Sequence, residues 1–333
     1  MRFRAANILR LGLLCLGLAL LVHVTAQFGF RRIAAMLIDL RWSVLPVLSL
    51  YAGHHVARAL ALRECVRKQG ALRFVDALWI RMSGEAVEYL TFSGPLLAEP
   101  TKAWLLGRRG LSVSEGLAAT LAEYLASSVA AGVMAVVAFG YVLAVLEPAG
   151  AARVAAIIGL ISMAVFVILV VVGIGSRLHI LGGVVRRIVR VLPGADDVRQ
   201  VLPVLDRAED VLIETLRDAP RRLMVILSLE SVAQGFLGLE LWCLLTTLGL
   251  PSGIAQAVLI EGVTKFMNAS YSFVPGQLGV AEGTYAVIFG VFGLSAAAGV
   301  TISFARRLRS VVAALIGAIA LISLRVPESS AQS

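Results

Sequence analysis

The sequence predicts an all-α polytopic membrane protein with about six full transmembrane helices and two re-entrant broken-helix hairpins in an inverted repeat. Three observations predict it. Of the 333 residues, 59% are hydrophobic and only 15% are charged, more apolar surface than a soluble core of this size buries. Several apolar runs reach the roughly 20 residues that cross a hydrocarbon core. One Glu-containing stretch also occurs twice, at 98–112 and 281–295.

The first predicted span is the apolar run at about 8–27, which follows the basic Arg2 and Arg4. No small-residue cleavage site of the A-x-A kind comes after it, so we interpret it as a retained span and not as a signal peptide. Because basic residues mark the cytoplasmic ends of spans, the N-terminus is predicted to be cytoplasmic. A second span at about 43–62 returns the chain to that side, where Arg63 follows it.

The first predicted hairpin begins with an apolar stretch at 74–97, which contains Gly94 and Pro95 and is followed by Pro100 and the basic pair at 108–109. Both ends of this segment have cytoplasmic character. A segment that enters and leaves on one side, with Gly and Pro at its turning point, is typical of a re-entrant hairpin covered by protein or by a wet cavity.

Four further spans are predicted at about 114–146, 152–175, 223–250 and 296–324. Between the second and third of these lies a segment, 176–222, that contains nine arginines and is therefore predicted to be cytoplasmic. Within it, apolar residues recur at helical spacing opposite charged ones that include Asp206 and Glu209, so we expect an amphipathic helix or hairpin against the membrane or the bundle.

The second predicted hairpin begins at 254–269 and is broken by Pro275, Gly276, Gly279 and Gly283. Three full spans separate the two hairpins. Because that number is odd, the hairpins should enter from opposite faces, which is the inverted-repeat arrangement of many secondary transporters.

The domain organisation that follows is one transmembrane domain, 1–325, with a polar tail, 326–333. Its repeat units are predicted at about 69–175 and 252–324, and both termini are predicted to be cytoplasmic.

The duplicated stretch shows which charges are equivalent. Residues 98–112 and 281–295 agree at eight of fifteen positions, where composition alone gives about one or two, so duplication is the better explanation. The alignment pairs Glu99 with Glu282, and Glu123 with Arg306.

Glu99 and Glu282 allow two interpretations. Glu99 directly precedes Pro100, a residue favoured at the first position of a helix, so both acids could be N-caps of two broken helices. Alternatively, they line a polar cavity and bind a proton, a cation or a polar headgroup. An ionisable group at membrane depth costs roughly 2.5–3.5 kcal/mol on insertion scales, which favours the functional interpretation.

Other charges also fall inside apolar segments, and the simplest explanation is that they pair with one another. The three arginines of the last span lack a nearby acid in sequence, and guanidinium groups suit phosphate oxygens. The predicted substrate-binding residues are Glu85, Glu99, Lys102, Glu123, Glu282, Arg306, Arg307 and Arg309. No catalytic residue, metal site or cofactor is predicted, because no hydrolase, phosphate-loop or metal motif occurs.

Two segments resemble the signature regions of a known family. GEAVEYLTFSGPLLAEPTKAWLLGRRGL at 84–111 and FVPGQLGVAEGTYAVIFGVFGL at 273–294 are similar to those of the lysylphosphatidylglycerol synthase transmembrane region, or flippase-like, family. The resemblance covers roughly 8–325 and implies a protein that moves, or helps to move, a lipid between leaflets. The best-known members carry a soluble aminoacyl-transferase domain, which these 333 residues lack. We therefore expect no synthesis of aminoacylated lipid.

Three functions remain open on the sequence. The first is a lipid flippase in a bacterial inner membrane that moves a polar or anionic lipid between the two hairpins. The second is a non-transporting accessory protein that presents lipid to a lipid or envelope biosynthesis enzyme through segment 176–222. A lipid-modifying enzyme that uses Glu85, Glu88 or Glu99 is the third and least favoured. Nucleic acid is not an expected partner, because the net charge of +9 comes from arginines near span ends.

Overall fold

The computed structural model describes residues 44–66, 72–90, 95–176, 196–217, 219–270 and 279–325, together with Ile38, Gly183 and Arg187. The predicted first span, the predicted breaks Gly94, Pro275 and Gly276, and the tail lie outside these residues. The described residues form ten α-helices and no strand. The helices are α1 Val44–Cys65, α2 Phe74–Leu90, α3 Pro95–Gly107, α4 Val113–Tyr141, α5 Gly150–Gly175, α6 Asp196–Arg217, α7 Pro220–Thr247, α8 Ile254–Ser270, α9 Val280–Val291 and α10 Ala296–Arg325.

The protein is an all-α polytopic membrane protein. Among the described residues, four helices are long and apolar enough to cross a bilayer: Val113–Leu146, which is α4 with a π-helical last turn, and Gly150–Ile174, Pro220–Thr247 and Ala296–Leu324. Helix α1, at 22 residues, has the length of a span but is less apolar, because His54, His55 and Arg58 lie within it.

Helices α2, α3 and α4 have counterparts in α8, α9 and α10. Their lengths are 17, 13 and 29 residues in the first set and 17, 12 and 30 in the second. The turn after each short helix contains a glycine in the left-handed region, Gly110 at φ 91° and Gly293 at φ 73°, a conformation that glycine adopts without steric cost.

The first helix of each set packs against the last helix of the other set. Helix α2 packs against α10, and α8 packs against α4. Both crossings are close, because a Cβ atom at Gly317 would meet the carbonyl oxygen of Met82, and one at Gly262 would meet that of Met134. Helices α1 and α7, which precede the two sets, pack against each other. These eight of the described helices therefore pack into one bundle.

The starts of the short helices correct two predicted breaks. Helix α3 begins at Pro95 and continues through Pro100, so the predictions that Pro100 breaks the chain and that Glu99 is an N-cap are wrong. Pro100 removes only one N–H donor from the second helical turn. Helix α9 follows Gly279, at φ 74°, and Gly283 lies inside it, so the break predicted at Gly283 is wrong too.

Helix α6 is the amphipathic element of segment 176–222. Its apolar side, with Ala208, Leu212 and Ile213, joins a buried cluster with residues of α1, α2 and α4, while Arg207 is exposed. Glu209, predicted on the polar face, is buried. It lies one residue from Ala208, at the edge of the apolar stripe.

Candidate substrate site: two buried ion networks

The first network of charges is centred on Glu123 of α4, which is fully buried. Its carboxylate lies 2.6 Å from Arg58 Nη2 of α1, 3.6 Å from Arg81 Nε of α2 and 2.9 Å from Lys102 Nζ of α3. One carboxylate thus joins cations from three other helices.

Each of these cations also contacts a second acid. Lys102 Nζ lies 2.9 Å from Glu99, Arg81 lies 3.3 Å from Glu85, and Arg58 Nε lies 3.5 Å from Glu230 of α7. We call these seven residues the first network: Arg58, Arg81, Glu85, Glu99, Lys102, Glu123 and Glu230.

Gly84 makes room for Lys102. A Cβ atom at Gly84 would lie 2.7 Å from the Lys102 Cδ atom, closer than carbon atoms pack. The Gly84-Glu85 pair therefore has two functions in the site: the glycine admits the lysine stem, and the glutamate pairs with Arg81 on the same helix.

The second network is centred on Arg306 of α10. Its Nη1 atom donates to Glu261 of α8 at 2.5 Å and to the Tyr285 hydroxyl of α9 at 2.8 Å, and its Nε atom lies 3.7 Å from Glu240 of α7. Outside these partners, Lys265 pairs with Glu261 at 2.6 Å. Arg309 donates to Glu240.

The two networks have corresponding positions and opposite charges. The central carboxylate of Glu123 corresponds to the central guanidinium of Arg306, 183 residues later. On the helix that leads each repeat, Arg81 with Glu85 corresponds to Glu261 with Lys265, an i,i+4 pair in both cases.

The charge reversal includes one of the other two contacts of each centre, and the remaining contact changes from charged to neutral. The α1 cation Arg58 corresponds to the α7 acid Glu240, since each contacts the central residue. Lys102 corresponds to a neutral hydroxyl, that of Tyr285.

Tyr51 of α1 lies between the networks. Its hydroxyl donates to Glu85 at 2.8 Å, and the Arg309 guanidinium lies 3.7 Å from its ring centroid, a cation–π contact. Its ring also stacks on His54, whose Nδ1 atom lies 2.9 Å from the Ala233 carbonyl oxygen. Among the described residues no group of His, Cys, Asp and Glu could hold a metal ion.

Glu282 and Arg307 form a separate pair. The Arg307 Nη2 atom lies 2.6 Å from the Glu282 carboxylate, which is fully buried, whereas the Arg307 side chain is 18% exposed. Glu99 of the first network and Glu282 are therefore repeat mates with different partners, Lys102 for one and Arg307 for the other.

The predicted site residues fall into three groups. Glu85, Glu99, Lys102 and Glu123 meet in the first network; Arg306 and Arg309 belong to the second; Glu282 pairs with Arg307. All three arginines that lack a nearby acid in sequence have one in space, supplied by α7, α8 or α9.

Sequence reasoning missed Arg58, Arg81 and Tyr51. A signal existed for two of them, because Arg81 stands four residues before Glu85 and Arg58 lies inside the predicted span at 43–62. Tyr51 has no such signal, since a tyrosine in a membrane helix is ordinary.

The first network is suited to hold an anion. Two guanidinium groups and one ammonium group converge on one carboxylate inside the protein, and guanidinium forks match the oxygens of carboxylate and phosphate alike. Glu123 occupies the position that an external anion would take, so it acts as an internal counter-anion.

Comparison with known proteins supports a lipid context. The family model described as the lysylphosphatidylglycerol synthase TM region matches residues 7–317. No curated protein and no solved structure matches the chain.

Proposed function

The chain belongs to the lysylphosphatidylglycerol synthase transmembrane region family, and on that premise we propose that it moves a lipid with an anionic headgroup between the leaflets of a bacterial inner membrane. Family membership links the protein to membrane lipid. The transport activity and the anionic charge of the headgroup are our proposal. The headgroup passes through the interior of the bundle while its acyl chains stay in the bilayer.

The single observation that carries the proposal is the convergence of Arg58, Arg81 and Lys102 on one carboxylate. Charges at membrane depth are costly and typically serve substrate or ion pathways. A network that only stabilised the fold could be replaced by apolar residues at little cost. A phosphate that displaces Glu123 would find the same three cations already oriented.

The helix breaks support the same proposal. Helix α3, which carries Glu99 and Lys102, begins at Pro95, and α9, which carries Glu282, begins after Gly279. Short helices of this kind, which start inside a membrane protein, present free backbone N–H groups to anions. The re-entrant and inverted placement of the two hairpins is part of this proposal.

The test is lipid exchange in liposomes. The purified protein is reconstituted with phosphatidylglycerol that carries a fluorescent acyl chain, and a membrane-impermeant quencher reports the fraction in the outer leaflet. We expect faster exchange with the wild type than with empty liposomes, and loss of this acceleration in Lys102→Gln. Arg207→Gln, at an exposed arginine on α6, is the control and should exchange as the wild type does.

Two other outcomes select other functions. If the protein accelerates exchange of no anionic lipid and the α6 variant instead loses binding to a biosynthesis enzyme, the protein is an accessory subunit. If mass spectrometry shows covalent change of the lipid, it is an enzyme.

A further inference from the structure

Glu230 is the member of the first network with the weakest pairing. Its side chain is 0% exposed, and its one ion-pair contact with the described residues is Arg58 Nε at 3.5 Å. Neither of its oxygens has a hydrogen-bond partner of normal geometry in that part of the chain, and the Ser127 hydroxyl of α4 is the neighbouring group that interacts with it. A buried carboxylate without hydrogen bonds is costly while it is charged.

The first network also contains one more acidic than basic side chain. Its three cations, Arg58, Arg81 and Lys102, are matched by three acids without Glu230. The surplus cation of the second network, Arg309, binds Glu240. Glu240 lies ten residues beyond Glu230 on α7, about 15 Å at 1.5 Å per residue. At that distance Arg309 cannot act as the partner of Glu230.

The groups around Glu230 come from every helix packed against this part of α7. Helix α1 contributes Arg58 and Cys65, and its His54 contacts the carbonyl oxygen of Ala233, within one turn of Glu230. Helix α2 contributes Arg81, and α4 contributes Glu123 and Ser127. Helix α6 meets this part of α7, near Ile226, with apolar side chains. The cations of α10 meet α7 further along, at Leu237 and Glu240.

We propose that Glu230 binds the proton that this protein moves together with its anionic headgroup, so that transport is driven by a pH gradient. This inference rests on the proposed function. In the step itself an O–H bond of a hydronium ion breaks and its proton forms an O–H bond with one Glu230 oxygen, leaving a water molecule. On the other side of the membrane the reverse step returns the proton to water. Arg58 contacts both Glu123, at 2.6 Å, and Glu230, at 3.5 Å, so protonation of Glu230 leaves this guanidinium with one ionised acid in place of two.

The coupling follows from charge. When Glu230 is ionised it competes with any other anion for Arg58. When it is protonated, Arg58 is available, and a headgroup phosphate binds more tightly. By linkage, a bound phosphate makes protonation of Glu230 more favourable by the same factor. Proton and headgroup therefore bind together, and their charges cancel on the way across.

The presence of the proton is tested on the purified protein without any lipid transport. We expect the infrared spectrum at neutral pH to contain the carbonyl band of a protonated carboxylic acid, and this band to disappear in alkaline buffer. Glu230→Gln should lack the band. Glu240→Gln, the matched control on the same helix, should retain it. A wild type without the band, or a Glu230→Gln variant that keeps it, would overturn the proton site.

Thermal unfolding provides a second readout on the same variants. Because glutamine has the shape of a protonated glutamate, Glu230→Gln should melt at the wild-type temperature. Glu240→Gln should melt lower, because it removes a charged partner of two arginines. A large loss of stability in Glu230→Gln would contradict a neutral Glu230.

Coupling is tested with the fluorescent phosphatidylglycerol in liposomes under a pH gradient of either sign. For the wild type we expect the labelled lipid to accumulate in the leaflet facing the more alkaline side, and for Glu230→Gln no skew under either gradient. Exchange that ignores the pH gradient, or that follows a sodium gradient, would overturn the coupling. Absence of any exchange would overturn the proposed function instead, while the infrared assignment of the proton would stand.

Discussion

The first and second networks occupy corresponding positions in the two repeats, yet nearly every charge is reversed between them. Glu123 lies at the centre of one and Arg306 at the centre of the other. The backbone arrangement that brings a leading helix, a short helix and a long helix together is therefore independent of the sign of the charges. What has to be preserved is that each buried ion meets a partner of opposite sign.

The two halves also differ in the kind of ion that their central positions can bind. The first network directs three cations at one position, whereas the second directs two acids and a hydroxyl at one cation. An anionic headgroup can replace the central residue of the first network only. We therefore place the headgroup site in the first half and expect the second half to act mainly as its counterpart in the fold.

The largest effect is expected from removing either central residue. Glu123→Gln and Arg306→Gln should each lower the free energy of unfolding by about 3–5 kcal/mol, because each removes one ionic partner from several buried charges. Unfolding in detergent, followed by circular dichroism, measures the loss. Only Glu123→Gln should also change the affinity for phosphatidylglycerol; equal changes of affinity in both variants would remove the distinction between the halves.

A smaller loss of stability, different in the two networks, is expected when Lys102 or Tyr285 is changed; these residues are the corresponding contacts of Glu123 and Arg306. Lys102→Met should destabilise by about 3 kcal/mol, since it leaves Glu99 and Glu123 without a shared cation. Tyr285→Phe should cost about 1.5 kcal/mol, because it removes one hydrogen bond to a charged group. The same unfolding experiment compares them, and a larger loss for Tyr285→Phe would contradict the charge inversion.

The two helix crossings give a further comparison. Gly317→Ala places a Cβ atom 2.0 Å from a backbone oxygen of α2, and Gly262→Ala places one 2.7 Å from a backbone oxygen of α4. We expect both to destabilise by about 1–3 kcal/mol through overpacking, with the greater loss for Gly317→Ala. Alanine at Gly107, where a Cβ atom has nothing within 4 Å, is the control and should not destabilise.

The smallest effect is expected at the edge of the first half. Arg109 and Asp76 form an ion pair at 3.1 Å, with side chains 28% and 16% exposed. Because partly exposed pairs contribute little, Arg109→Gln should change stability by about 0–1 kcal/mol. A loss as large as that of Lys102→Met would show that the buried networks are not the main ionic contribution to the fold.

Much of the fold was predictable because it depends on local composition. The four long apolar helices lie close to the predicted spans. The repeat found in 98–112 and 281–295 pairs Glu123 with Arg306, the residues at the centres of the two networks. The predicted cap at Glu99 failed because α3 starts a full turn earlier, at Pro95. A local motif can identify a broken helix without locating its first residue.

The sequence by itself determined that the chain is a bundle of apolar helices, that one unit occurs twice, and which residues are repeat mates. These features follow from hydropathy, helical spacing and duplication, all of which are local. Only the tertiary structure decided the partners of the charges. Arg58 meets Glu123 and Glu230, 65 and 172 residues away, because α1, α4 and α7 pack against one another. Such contacts between distant parts of the chain are not encoded in local hydropathy or helical spacing.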